Sequence, residues 1–173
     1  MLIRILALLA GLLLTSLVHA DCQTIHQQAN DTTDLATLET LYQQAGKAPD
    51  CTDLFRSKLG EKVASTHIRQ IQARLQQEPT ADVLPNLDRA LQYARLWQAL
   101  AMRGDVYHER QDYYRAAIDY QEALDVIADR EATPAAPSPA LIGQIFKKAE
   151  RSRLLADRYP PTPINRSTGQ PGG

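Results

Sequence analysis

Apolar residues along this 173-residue chain recur at three- and four-residue intervals in a series of separate stretches, the spacing of helices that each bury one face. Asp31, Thr32, Thr33 and Asp34 offer capping oxygens ahead of Leu35, Leu38, Leu41 and Tyr42, and Gly46 followed by Pro49 predicts where that helix stops. A short helix or turn over 22–30 precedes it. Asp50 or Thr52 can cap the next segment, where Leu54, Phe55, Leu59, Val63, Ile68, Ile71 and Leu75 run to Gln77 ahead of Pro79 with one spacing of five. Gly60 inside that run marks a kink or a second helix start. Thr80 or Asp82 opens another helix, with Pro85 in its first turn and Val83, Leu87, Ala90, Leu91 and Ala94 as its stripe.

Residues 84–110 admit two readings. No Gly or Pro interrupts 86–103, so propensity alone favours one long helix; the alternative is a tight turn near Tyr93 to Leu96. A helix over Asp112–Asp129 carries Tyr113, Ala116, Ala117, Tyr120, Leu124 and Ile127 on one side. Pro134, Pro137 and Pro139 then form a short stiff linker, and Leu141, Ile145, Phe146, Ala149, Leu154 and Leu155 define a closing helix. The text from Tyr159 to Gly173 has too few apolar residues to pack, so 159–173 reads as a disordered, Pro/Gly-rich tail.

One pair of segments carries a contact signature beyond periodicity. Gly104, Tyr107, Ala116, Tyr120 and Ala123, with Tyr113 at the bend, alternate small and large side chains at gaps of three, nine, four and three. That pattern sets a small residue of one helix opposite a ring of the other and lets two backbones approach closely. These offsets resemble the tetratricopeptide repeat, a helix-turn-helix unit of about 34 residues. Leu100 stands where that family usually has Trp, and Trp97 lies one turn earlier. Arg103 takes the place of the usual Leu, Gln111 that of the turn Gly, and Ala128 that of the closing Pro.

The resemblance implies an all-α fold of about six or seven helices, stacked as antiparallel hairpins into a right-handed superhelix over 21–158. It also favours the turn over the long helix near residue 95. The inner face of such a stack is lined by the first helix of each hairpin. Transferred by offset, Gln98, Ala101, Met102, Asp105, His108 and Glu109 would then face a partner groove. This set differs from the Lys and Asn set of relatives that clamp a C-terminal carboxylate, so that ligand is not expected. Lys147, Lys148, Arg151 and Arg153 on the closing helix could form a basic wall opposite an acidic one. The Pro-rich ending is in addition similar to linkers that precede peptidoglycan-binding domains of outer-membrane-protein-A type.

Arg4 followed by an apolar run from Ile5 to Leu14, with Val18-His19-Ala20 ahead of Asp21, reads as a signal peptide over 1–20. The expected compartment is therefore the periplasm or the exterior, with no membrane span once the leader is cut. Cys22 and Cys51 are the two cysteines, and in an oxidising compartment a disulfide about 30 residues around is expected. Past Ala20 there are 18 basic and 20 acidic side chains, no excess of the kind that would recruit nucleic acid.

Enzymatic chemistry finds no foothold in the pattern. His26, His67 and His108 stand singly on different segments, without a second ligand at helical spacing. No nucleophile, metal, P-loop or dinucleotide fingerprint occurs, so no catalytic residue, metal or cofactor is expected. The expected function is a non-enzymatic protein-protein interaction module of the bacterial cell envelope. The alternative is a structural spacer or assembly platform tied to a peptidoglycan- or outer-membrane-associated protein.

Overall fold

A computed structural model describes residues 21–129 and 137–160. The candidate leader over 1–20, Pro134 of the candidate linker and residues 161–173 of the candidate tail lie outside that range. The described residues form seven helices and no strand: α1 (Cys22–Asp31), α2 (Leu35–Lys47), α3 (Asp53–Gln77), α4 (Leu84–Tyr93), α5 (Trp97–Glu109), α6 (Tyr113–Ala128) and α7 (Pro139–Arg158). Each packs chiefly against its neighbours in the chain, as hairpins stacked in order.

Capping oxygens set most of the starts. Asp21, Asp34, Thr52, Asp112 and Ser138 each accept a backbone N–H from the first turn of the helix that follows, which satisfies donors that have no partner inside the helix. Asp50 does something else: its carboxylate accepts the Cys22 N–H at 2.8 Å. At the start of α4 there is no side-chain cap from Val83, but Asp82 accepts the Leu84 N–H at 3.1 Å.

Several boundaries differ from the sequence reading. Gly46 does not stop α2, which runs through it to Lys47 and closes with the Ala48 N–H on the Gln44 carbonyl. No described glycine has a positive φ, so Gly46 serves as an ordinary helical residue. Residues 22–30 form a true helix. Gly60 does not restart α3, which is continuous over 25 residues. Its role is clearance: a Cβ there would sit 2.5 Å from the Tyr93 carbonyl oxygen and 3.1 Å from the Tyr42 ring. Between 84 and 110 the turn wins, with α4 ending at Tyr93 and α5 starting at Trp97.

The core follows the stack as three clusters. Ile25, Ala29, Leu38, Leu41, Ala45, Leu59 and Val63 join α1, α2 and the first half of α3. Ala64, Ile68, Ile71, Val83, Leu87, Leu96 and Ala99 join the second half of α3 to α4 and α5. Leu100, Ala116, Tyr120, Ala123, Ile145 and Ala149 join α5, α6 and α7. Leu54, placed on the core stripe by its spacing, is instead 70% exposed, and Phe146 and Leu154 are also exposed. Leu54 lies in the first turn of α3, beside the Thr52 cap, and the neighbouring Phe55 takes the inward place.

The Cys22–Cys51 disulfide is present, with Cα atoms 5.0 Å apart. It ties the start of α1 to the loop that enters α3. Lys62 reaches from α3 to the Ala29 carbonyl at the end of α1, placing a cation where the helix dipole is negative. No described helix is long and apolar enough to cross a membrane.

Candidate binding groove

The α5–α6 hairpin presents the site, and its packing rests on the small and large residues of the sequence pattern. Ala116, Tyr120 and Ala123 are buried on α6, opposite Leu100 and Gly104 on α5. A Cβ at Gly104 would lie 2.8 to 3.1 Å from three carbons of the Tyr120 ring. The glycine is thus a notch filled by the ring. Tyr107 is partly buried on the same cluster, with the Arg103 and Arg115 guanidinium groups 6.0 and 5.5 Å from its ring centre. Tyr113 meets His108 edge-on at 5.2 Å and Tyr159 at 6.3 Å.

Helix α5 borders two furrows, one toward α3 and one toward α7, the second walled also by Tyr120 of α6. Toward α3, a 580 Å³ cavity is lined by Lys58, Lys62, Arg69, Gln72 and Gln98 among others. Farther along the same seam a 460 Å³ cavity is lined by Leu75, Asp82, Met102, Asp105, Glu109 and Arg110. Toward α7, a 350 Å³ cavity is bounded by Asp105, His108, Glu109, Tyr120, Lys148 and Arg151. In the α3 seam Lys58, Lys62 and Arg69 outnumber Glu61 in the first cavity, and Asp82, Asp105 and Glu109 outnumber Arg110 in the second.

The structure therefore places five of the six groove candidates on these walls: Gln98, Met102, Asp105, His108 and Glu109. Ala101 lines none of them and packs, partly buried, on the α5–α6–α7 cluster. Gln98 carries a buried Oε1 with no hydrogen-bond partner. Asp105 is not a free groove carboxylate, because it accepts the Tyr120 hydroxyl at 2.5 Å and the Lys148 ammonium at 2.7 Å. Burial first, and then the Asp105 carboxylate, push the Tyr120 hydroxyl well above the usual tyrosine range, so it remains a donor. His108 Nδ1 lies 3.0 Å from the Oγ of Ser152, which is fully buried on α7. Glu109 is exposed.

Of the candidate basic wall, Lys148 and Arg151 face this furrow. Arg153 lines a different cavity, between α6 and α7, and pairs with Glu150; Lys147 is exposed.

Two ionic clusters hold the groove helices at their spacing, and the sequence reading found neither. Arg103 donates to both oxygens of Asp119 at 2.8 Å and to Asp88 at 2.8 Å, joining α5 to α6 and α4. The bonds to Asp119 raise the arginine further above its ordinary range, against the cost of burial. Glu39 on α2 accepts two bonds from Arg89 on α4 and lies 2.9 Å from His67 Nε2 on α3. Burial pushes the Glu39 carboxyl up, but its bonds to Arg89 and His67 outweigh it and leave the group below 4.5. The His67 ring in turn stacks on Tyr93 at 5.8 Å.

A sequence signal existed for the first cluster. Asp119 falls within the Ala116–Tyr120–Ala123 stripe, and Arg103 stands beside Gly104 on the facing helix. Opposite charges on two facing apolar stripes are a pair in waiting. Glu39, His67 and Arg89 come from three helices, with no comparable local mark.

No protein-family model matches the sequence, and neither curated proteins nor solved structures give a match. Among the described residues no group of three His, Cys, Asp or Glu side chains could hold a metal ion. The arrangement offers walls, charge and hydrogen-bond acceptors along an open seam. Its histidines are engaged structurally: His67 by Glu39, His108 by Ser152 and His26 by Asn30.

Proposed function

We propose that this protein is a non-enzymatic binding module of the bacterial cell envelope, of tetratricopeptide-repeat type, that takes a segment of a partner protein along the seam between α3 and α5. The observation that carries this reading is the pair of cavities that follow one another along that seam, bordered by Gln98, Met102, Asp105 and Glu109. A polypeptide segment suits such walls. Its side chains meet Lys58, Lys62 and Arg69 at one end and Asp82 and Glu109 at the other. Charge placed in this way fixes register and direction more than affinity. Placement outside the cytoplasm is supported by the Cys22–Cys51 bridge and by the leader-like pattern of the first twenty residues.

Photo-crosslinking in intact cells tests the proposal. A photoreactive residue at Gln98 or Glu109 should give one discrete protein adduct, and the same residue at Gln27 on α1 should not. Arg69→Glu and Glu109→Lys should each weaken the adduct while helicity is unchanged. Asp105 is unsuited to this test because its loss also strips Tyr120 and Lys148 of their acceptor. Equal labelling from Gln27, or adducts indifferent to both charge reversals, would refute the groove assignment.

A further inference from the structure

The exposed apolar surface of the described residues is gathered toward one end. Among the described residues six large hydrophobic side chains are exposed, and all but Leu54 belong to the last helix pair or the residue after it: Tyr114, Ile118, Phe146, Leu154 and Tyr159, between 41% and 69% exposed. Tyr114, Ile118 and Phe146 line a 310 Å³ furrow between α6 and α7, floored by Ala117 and Ala149 and rimmed by Glu150, Arg153 and Asp157. This furrow lies on the opposite side of α6 from its seam with α5 and shares no lining residue with the groove described above. A stack of helices needs a polar outer face on its terminal helices to stay dispersed, and a patch of this kind on a surface marks a contact.

The other end of the stack shows what a sealed end looks like. On α1 only Ile25 and Ala29 are buried, and the residues facing outward are Gln23, Thr24, His26, Gln27, Gln28 and Asn30. End-to-end stacking of copies would need an apolar surface there, and it is absent. Whatever covers the α6–α7 furrow therefore brings a different apolar surface, and the rim charges indicate which. Along α7 they run acid, base, acid at Glu150, Arg153 and Asp157. A two-fold axis that sets two α7 helices antiparallel can exchange the Glu150–Arg153 pair within each chain for two such pairs across the axis, with Phe146 and Ile118 at the flanks of the contact.

We propose that the α6–α7 face is a two-fold interface and that its occupant is the same face of a second copy of this chain. Such a closed contact uses one self-complementary patch and ends there, leaving both grooves open.

Sedimentation equilibrium on the chain from Asp21 onward, which carries every described helix, tests the proposal. The expected result is twice the chain mass at micromolar concentration. Ile118→Asp with Phe146→Asp should give the single-chain mass with far-UV circular dichroism unchanged, since both side chains are exposed. Arg153→Glu alone should weaken the dimer at least tenfold, and Glu150→Arg added to it should restore the dimer, because the exchange re-forms both pairs across the axis. Glu109→Lys, in the groove, should leave the mass unchanged, so the two proposals fail separately. A single-chain mass at every concentration would overturn the interface. A dimer indifferent to Phe146→Asp and to the charge exchange would do the same. If deletion of 161–173 converts a monomer into a dimer, the chain's own end is the occupant and the proposal falls.

Discussion

The first helix of the stack and the α5–α6 hairpin toward its other end, itself covered by α7, solve the same problem differently. Helix α1 buries Ile25 and Ala29 alone, which is little apolar area against the entropy of ordering ten residues. A disulfide, the Asp50 bond to the Cys22 N–H and the Lys62 bond to the end of α1 hold it in place. The α5–α6 hairpin has no covalent staple and is held by shape, with the Tyr120 ring in the Gly104 notch, and by the paired charges of Arg103 and Asp119. A helix with a poor core can be retained by a crosslink that acts largely on the unfolded chain, whereas a well-packed one needs its contacts. Each end is therefore vulnerable to a different kind of change.

Loss of the staple is the largest effect expected. Reduction, or Cys22→Ser with Cys51→Ser, should cost about 3 to 4 kcal/mol in the chain-entropy model for a loop of this length. Hydrogen exchange should rise first in α1 and α2, while α5 and α6 keep their protection until the whole chain unfolds. A thermal midpoint unmoved by reductant would show that packing alone holds α1, and the contrast between the ends would collapse.

At the other end, Arg103→Leu should cost about 2 to 3 kcal/mol, because Asp119, 3% exposed, is left buried without its partner. Asp119→Leu made in the same chain should recover most of the loss, since an apolar pair suits the site once neither charge remains. Urea titration of the two singles and the double closes the cycle. A double variant as unstable as the sum of the singles would mean that the two residues are not coupled.

This pair also shows where the sequence was readable. Local spacing recovered α2, α3, α6 and α7, since caps such as Asp34 and Thr52 and stripes such as 116–120–123 are written within one segment. Residues 22–30 were left between helix and turn, and 84–110 between one long helix and two. The groove wall on α5 was reachable through offsets, because one helix face is a periodic property. Properties that depend on a facing helix were not readable. Leu54 and Phe146 have core spacing yet no opposing surface, and Gly60 looks like a breaker until the Tyr93 carbonyl is beside it. Glu39, His67 and Arg89 are far apart in the chain and meet only because α2, α3 and α4 pack together.

The glycines sharpen the comparison between the halves. Gly60 faces a backbone carbonyl at 2.5 Å and Gly104 faces a side-chain ring at 2.8 Å. Alanine gains about 1 kcal/mol of helix propensity at either place, but α4 must shift to admit the first, while the second displaces only a ring. Gly60→Ala should therefore lose about 2 kcal/mol net, within the usual cost of overpacking, and Gly104→Ala clearly less. Thermal melts of the two variants decide it, and the reverse order would show Tyr120 to be the more rigid obstacle.

Acid should act on the N-terminal half through Glu39. The folded Glu39 carboxyl lies below its ordinary 4.5, so its contribution is complete above that pH and is lost as pH falls through the lower folded value. Wild-type stability should drop over this window more steeply than that of Glu39→Gln, which is less stable at neutral pH but has no proton to take up. Parallel curves from pH 6 to 3 would remove Glu39 from the account.

The smallest expected effect is a gain, and it falls in the C-terminal half. Gln111 ends α5 with φ of 61°, the left-handed conformation in which a Cβ costs about 1 to 2 kcal/mol. The bonds around it are those of a Schellman closure, Gln111 N–H to the His108 carbonyl and Asp112 N–H to the Tyr107 carbonyl. The backbone therefore demands this conformation whatever the side chain. Gln111→Gly removes the Cβ penalty but adds chain entropy to the unfolded state, so the net gain should be about 0.5 to 1 kcal/mol, or about 2 °C in the midpoint. Gln111→Val should lose stability at the same place. If glycine brings no gain while valine is tolerated, the bend between α5 and α6 holds no strain, and the shape-held end of the stack rests on Tyr120 and Arg103 alone.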